Sequence, residues 1–250
     1  MRVLIDSRRP GSPGTQVSAA ELEALYRFPD RPWLRSNFVT SLDGAIVGGD
    51  GRSGSINTPP DNRVFALQRD LCDAVLVGSG TVRAEGYERL TPTRRRPVPP
   101  ALVVVSGSGR VPEGLRRPTE GRGSGLLVTC ESAGSRRLDR ARSVLGADAV
   151  LVAGSEHVDL AAAVRTLAAR GLRHLLCEDG PTLLTAELAA GIVDEMALSS
   201  APVVVGGAGS RITAGAPLGE PNGIRLAPRL LLEDAGTLLG LWRVRPVTSP

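Results

Sequence analysis

Aromatic side chains make up only 3% of this 250-residue chain. A core must then be built from Leu, Val and Ala, and the exposed aromatic platforms that stack single-stranded nucleic acid are not on offer. Histidine is almost absent: only His157 and His174 occur, and neither is assigned a role. The three cysteines, Cys72, Cys130 and Cys177, lie far apart with no CxxC spacing, so no zinc cluster and no other metal site is expected. Cys130 and Cys177 sit inside apolar runs and read as buried, reduced thiols, which suits a cytoplasmic chain. No run approaches the roughly 20 apolar residues of a membrane span. The N-terminus, MRVLIDSRRPG, lacks the apolar core of a signal peptide. Neither a membrane nor a nucleic acid is expected as a partner.

What is present is a globular composition, 42% hydrophobic with a mean hydropathy of +0.01. The length suffices for one large domain or two small ones. Net charge is +4 and the pI about 9.6, carried by arginine rather than lysine. Most of these arginines read as coding bias on a solvated surface, and a few as bidentate phosphate partners. They are scattered, which argues against a nucleic-acid face.

The most informative stretch runs from Arg173 to Gly191. His174 to Cys177 reads as a buried strand, Glu178-Asp179-Gly180 as a tight turn, and Pro181 as the first position of a helix. Leu183, Leu184, Leu188 and Ile192 recur at helical spacing, and Gly191 supplies a left-handed stop. A strand feeding a helix through glycine leaves free N–H groups and a positive dipole end, an anion site. Glu178 stands beside it at the strand's carboxyl end. A second strand–turn–helix unit follows the same plan: strand Ala74 to Val77, turn Gly78-Ser79-Gly80-Thr81, helical turn Val82 to Glu85. It has neither the P-loop lysine nor a full GxGxxG, and reads as a phosphate cradle or a plain turn.

Around these units, residues 1–31 form a lead-in with an apolar piece (Val3 to Ile5) and a helix, Ser18 to Tyr26, opened by the capping box Ser18/Glu21. Trp33 to Val47 reads as a β segment with Asp43-Gly44 as a turn or bulge inside it. Gly48 to Ser55 is a flexible loop. Thr58, Pro59 and Asp61 start a helix running to about Leu71, with Val64, Leu67 and Leu71 on one face and Arg63 and Arg69 off it. Arg94, Arg95 and Arg96 form a charge run that is either solvated or holds a substrate phosphate. Ala101 to Val105, Leu126 to Thr129 and Ala149 to Val152 are strands. Ser106 and Arg110, at the end of the first of these, suit an adenosine 2′-phosphate. Arg136 to Leu145 and Leu160 to Ala169 are helices, the second capped by Asp159. Strands follow at Glu195 to Leu198 and Val203 to Val205, then a loop from Gly206 to Ser210. A hairpin of Arg225 to Glu233 and Thr237 to Arg245 closes the chain. The expected fold is α/β with a mainly parallel central sheet and an antiparallel C-terminal hairpin, in a single domain over residues 32–250.

TSLDGAI, LQRDLCDAVLVGSGTVRAE and LLCEDGPTLLTAELAAGIVDEMALSSAPVVVGG, in this order, resemble the reductase domain of bacterial riboflavin biosynthesis, the 5-amino-6-(5-phosphoribosylamino)uracil reductases. The resemblance spans residues 32–245. It implies a three-layer αβα, dihydrofolate reductase-like fold, a homodimer, and NADPH as cofactor. Carried over by position, it implies cofactor contacts from Thr40, Ser55, Gly78, Ser79, Thr81, Glu85, Ser106 and the turn Gly180, Pro181, Thr182, Leu183. It implies substrate contacts from Ser53, Arg69, Leu90, Arg94 and Glu178, with the arginines on the ribose 5-phosphate. The implied partner is a phosphorylated pyrimidine, reduced by hydride at C1′ of its ring-opened imine. Glu178, and after it Asp43, are the candidate catalytic carboxylates for the cationic imine. The HxE and PCxxC motifs of a zinc deaminase are absent, so the resemblance is to a stand-alone reductase. Asn37 stands where many bacterial relatives have lysine. Two alternatives remain: reduction of another heterocycle such as dihydrofolate, and a catalytically silent nucleotide-binding protein.

Overall fold

Short β-branched runs bounded by turns become the middle of a ten-stranded sheet among the described residues. The computed structural model describes residues 1–9, 11, 13–116, 120–207, 209–218 and 223–245; Ala208 of the expected glycine loop and the tail 246–250 lie outside these. The strands are β1 (Arg2–Asp6), β2 (Trp33–Thr40), β3 (Ala74–Gly78), β4 (Ala101–Val105), β5 (Gly125–Thr129), β6 (Val150–Val152), β7 (His174–Cys177), β8 (Glu195–Ser200), β9 (Leu226–Asp234) and β10 (Thr237–Val244). Their order is β1-β9-β10-β8-β2-β7-β3-β4-β5-β6. From β8 to β6 every pairing is parallel, and β1, β9 and β10 add an antiparallel flank. Parallel strands buried on both faces carry unbroken apolar runs, as AVLVG and ALVVV do here.

The helices are α1 (Ala19–Tyr26), α2 (Pro59–Leu71), α3 (Ser79–Glu85), α4 (Glu113–Arg116), α5 (Ser135–Leu145), α6 (Leu160–Ala169) and α7 (Pro181–Ala189). Alternate strand residues sort them into layers. Leu76, Val103 and Leu175 pack with Leu160, Leu167, Leu184 and Leu188 of α6 and α7. Val75, Val77 and Val104 face the other way, onto Val82 of α3, Leu115 of α4 and Ala141 of α5. Val64 and Leu67 of α2 and Leu22 and Leu25 of α1 cover the antiparallel flank. No described helix is long and apolar enough to cross a membrane.

Local signals hold where they were strongest. Thr58 caps α2 with Pro59 at its first position, Ser18 and Glu21 close a capping box, and Gly180 and Pro181 open α7. Three expectations are corrected. The first β segment stops at Thr40, because Gly44, at φ 86°, turns the chain between Ser41 and Ala45. Val203 to Val205 is not a strand: β2 and β10 both end their pairing with β8 at Ser200, so no neighbour remains to pair with. Those residues instead bond back to the Ser41–Ala45 turn, with Leu42 N donating to Val203 O and the Asp43 carboxylate accepting from Val205 and Gly206. Finally, α3 begins at Ser79, so the Gly-Ser-Gly turn is already helix.

Candidate active site

β7 sits between β2 and β3, and its last residue, Cys177, is paired on both sides. Glu178 therefore leaves the sheet at its centre, at the carboxyl ends of the parallel strands, where open α/β sheets bind ligands. Its own N–H donates to Leu76 O at 3.0 Å. The two strand–turn–helix corners meet there. Gly180 N donates to Thr81 Oγ1 at 3.2 Å, and the Asp179 carboxylate lies against Gly78 where a side chain would otherwise project. Gly180 gives α7 no side-chain cap. The first-turn N–H groups of Thr182 and Leu183 thus have no side-chain cap.

Beside this corner opens a cleft of about 250 Å³, lined by Asn37, Phe38, Ser53, Asp61, Phe65, Thr81, Glu85, Tyr87, Glu178, Gly180 and Pro181 among others. Glu178 is buried and held on three bonds. Arg69 Nε donates to Oε1 at 2.8 Å, Arg69 Nη2 to Oε2 at 2.5 Å, and the Tyr87 hydroxyl to Oε2 at 3.0 Å. Phe65 stacks on the Arg69 guanidinium at 4.3 Å. Opposite, Asp61 on α2 is only 4% exposed, and burial raises its carboxyl above the ordinary value. Gln68 Nε2 donates to Asn37 Oδ1 at 2.7 Å, which leaves the Asn37 amide nitrogen as a donor on the cleft wall.

Of the residues anticipated from sequence, Ser53, Thr81, Glu85, Glu178, Gly180 and Pro181 line the cleft. Gly78 and Ser79 form the second corner, with Ser79 in a separate groove. Thr40 is buried at the end of β2, its hydroxyl on Ser199 O. Ser55 is turned to Asp50 and Arg52. Ser106 is buried after β4, 3.1 Å from the Ser108 hydroxyl. Leu183 packs in the core, and Thr182 is exposed, so each can serve a ligand through its N–H. Leu90 packs under the sheet, and its carbonyl accepts from Gly123. Arg69 is spent on Glu178. Of the arginine run, Arg95 pairs with Glu23 and Arg96 with Asp73, whereas Arg94 is exposed and makes no hydrogen bond or ion pair among the described residues. Asp43 is not brought to the cleft. The Ser41 hydroxyl and the Gly206 and Val205 N–H groups hold its carboxyl down at about 2, as a brace between two loops.

The sequence reading gave Asp61, Asn37 and Tyr87 no place in the site. A signal existed for Asp61: the stripe of Val64, Leu67 and Leu71, continued back one turn, lands on this carboxyl. The reading named Ser79 and Arg110 for the cofactor but not the basic groove of about 1200 Å³ beyond the second corner, where they lie with Ser108, Arg83, Arg137 and Arg140.

Beneath the first corner, Glu187 of α7 is fully buried, and among the described residues only the weak S–H donor of Cys177 faces its carboxyl. Burial, with the Asp179 charge adding to it, pushes the carboxyl up to about 8. In the folded chain it holds its proton at pH 7; unfolded, it has already lost it. Stability therefore falls as pH rises from the ordinary carboxylate range to about 8, and then levels. Glu187→Gln, neutral in both states, is expected to remove that slope and to be more stable at pH 8 by on the order of a few kcal/mol. Urea unfolding at pH 5, 6.5 and 8 measures this; parallel wild-type and variant curves would contradict it.

The sheet, its two corners and the cleft at its carboxyl edge are those of an oxidoreductase of the pyrimidine reductase class. Residues 32–236 match the family described as RibD C-terminal domain, and the chain belongs to that family. It is 35% identical over 189 residues to the 2,5-diamino-6-ribosylamino-4(3H)-pyrimidinone 5′-phosphate reductase of Methanothermobacter thermautotrophicus, a match covering 72% of this chain and 82% of that one. The protein of the same name from Archaeoglobus fulgidus is 30% identical over 187 residues, covering 71% and 83%. A solved pyrimidine reductase-like protein from Corynebacterium diphtheriae superposes with a TM-score of 0.70 at 26% identity, over 86% of this chain and 92% of that one. The resemblance drawn from the three motifs is thereby confirmed. A silent nucleotide-binding protein is set aside by membership in an enzyme family.

Proposed function

We propose that this chain is an NADPH-dependent reductase of riboflavin biosynthesis, reducing C1′ of the ribosyl group of 5-amino-6-(5-phosphoribosylamino)uracil to the ribitylamino product. The observation that carries this reading is the Glu178 carboxylate, fixed in the cleft beside the unfilled N–H groups of the α7 corner. Those N–H groups and the arginine groove fit a dinucleotide's pyrophosphate and its 2′-phosphate, and the arginines favour NADPH over NADH. When bound, NADPH supplies the hydride; a protonated imine plus hydride gives the secondary amine with no further proton needed. Glu178 opposes the positive charge of that imine, the wall of Phe38, Ile46 and Phe65 excludes water, and Asn37 offers a donor to a ring carbonyl. The substrate phosphate falls to Arg94, the arginine of its run without a partner among the described residues. The three buried, unpaired thiols suit a reducing cytoplasm, and a homodimer completes the reading.

Arg94→Ala is expected to raise KM for the phosphorylated substrate about tenfold, with little change for the dephosphorylated one. Equal KM values for both substrates in the wild-type enzyme would remove Arg94 from this role.

Asp61 supports a second reading. A buried carboxyl on the cleft wall matches the 2-amino and ring N–H edge of a 2-amino-4-oxopyrimidine better than the edge of uracil. The substrate in the names of the two archaeal relatives carries that edge, and so does dihydrofolate. NADPH consumption with the aminouracil phosphate, its 2-amino counterpart and dihydrofolate, side by side, tests both readings. Turnover of a phosphoribosylaminopyrimidine at about 10² or more times the kcat/KM for dihydrofolate is expected; the reverse order would overturn the first reading.

A further inference from the structure

Tyr87 is a polar group of the cleft that the proposed reaction does not yet use. It follows Gly86, whose left-handed φ of 69° ends α3, and its N–H donates back to Val82 O. From behind, its carbonyl lies against Gly114, where any side chain would collide with it. Burial, reinforced by the Glu178 charge, raises its phenol well above the ordinary value, so the hydroxyl remains a donor. Tyr87 is thus anchored by its backbone and offers one fixed O–H to one fixed acceptor.

The acceptor sites on Glu178 can be counted. A carboxylate has about four lone-pair sites, two on each oxygen. Oε2 takes Arg69 Nη2 and the Tyr87 hydroxyl, and Oε1 takes Arg69 Nε. One site, on Oε1, is left. We infer that Tyr87 is a positioning residue: with Arg69 it fixes the plane of the Glu178 carboxylate, so that one Oε1 lone pair faces the N–H of the substrate's protonated imine. This rests on the reaction proposed above. A carboxylate oriented before substrate arrives needs no reorganisation as charge changes at C1′. Arg69, with Phe65 and Tyr87 against its guanidinium at 4.3 and 5.6 Å, belongs to this clamp and not to the substrate phosphate.

Tyr87→Phe keeps the ring and its packing and removes the one donor. The expected result is a fall in kcat of about tenfold, the worth of one hydrogen bond to a charged group, with KM for NADPH within about twofold of wild type. A second readout needs no turnover. The Arg69 Nε–H signal, followed by ¹⁵N NMR in the unliganded protein, is expected to exchange with water about tenfold faster in the variant. A merely structural Tyr87 would lower the melting temperature and leave kcat per folded molecule unchanged. Wild-type kcat together with unchanged Arg69 exchange would overturn the proposal. If the wild-type protein consumes NADPH with none of the pyrimidines, the reaction fails, and the NMR arm alone decides whether Tyr87 holds Glu178.

Discussion

Glu178→Gln is expected to lower kcat/KM for the phosphoribosylaminopyrimidine by about 10²–10³, the range seen when one preorganised electrostatic partner of a reacting group is lost. The substitution keeps the shape of the side chain, removes the charge, and turns one of the two oxygens that accept from Arg69 into a donor. Arg69 and Tyr87 remain against it, so the cleft keeps its walls, but the neutral amide no longer opposes the charge of the imine. NADPH affinity is expected to stay within about threefold, because the corner offers that cofactor backbone N–H groups and not this carboxylate. Steady-state kinetics with a separate fluorescence titration of NADPH separates the two effects. A variant that turned over at the wild-type rate would take Glu178 out of the chemistry.

Glu195→Gln is expected to cost about 3–5 kcal/mol of stability, the range for removing one member of a buried ion pair. Glu195, at 1% exposure, accepts from Arg35 Nε at 2.8 Å and from Arg229 Nε at 2.5 Å. Each arginine also donates to the end of α1, Arg35 to Tyr26 O and Arg229 to Leu25 O. This buried triad ties β2, β8, β9 and α1 together, and with one charge gone it leaves two guanidinium groups without a counter-ion. Burial alone would raise the Glu195 carboxyl; the two arginines outweigh it and hold it below its ordinary value. Its stabilisation is therefore present above the ordinary carboxylate range and is lost as pH falls through the folded value. Urea midpoints of wild type and variant at pH 7 measure the loss, and coincident curves would contradict it. The cleft lies at the opposite ends of these strands, so residual folded variant should keep its KM for NADPH.

What the sequence made legible was local. Helix starts at Thr58-Pro59 and Gly180-Pro181, the capping box at Ser18, the C-terminal hairpin and the apolar parallel strands all rest on signals a few residues long, and they survive in the fold. Glu178 and the α7 corner belong to the same class, since strand, turn and helix follow one another directly. The rest depends on what lies across the sheet. The valines from 203 to 205 have β propensity but no strand to pair with, because β10 and β2 already end at Ser200. Arg69 reads as an ordinary helix-surface cation until its partner, 109 residues away, is placed beside it. Tyr87 lies in a proline- and arginine-rich loop and meets Glu178 across 91 residues. Asp61 reads as a first-turn helix acid, and only the packing of α2 onto the antiparallel flank of the sheet shows that its carboxyl is buried at a cleft. Non-local contacts of this kind carry no periodicity, so no window along the chain contains them.

The most direct test is to follow the hydrogen itself. With NADPH deuterated at C4 of the nicotinamide and a phosphoribosylaminopyrimidine as acceptor, mass and NMR analysis of the product is predicted to show one deuterium at C1′ of a ribityl chain. Consumption of the cofactor with the label in solvent or on the pyrimidine ring, or an unreduced ribosyl group after the cofactor has bound, would contradict the account.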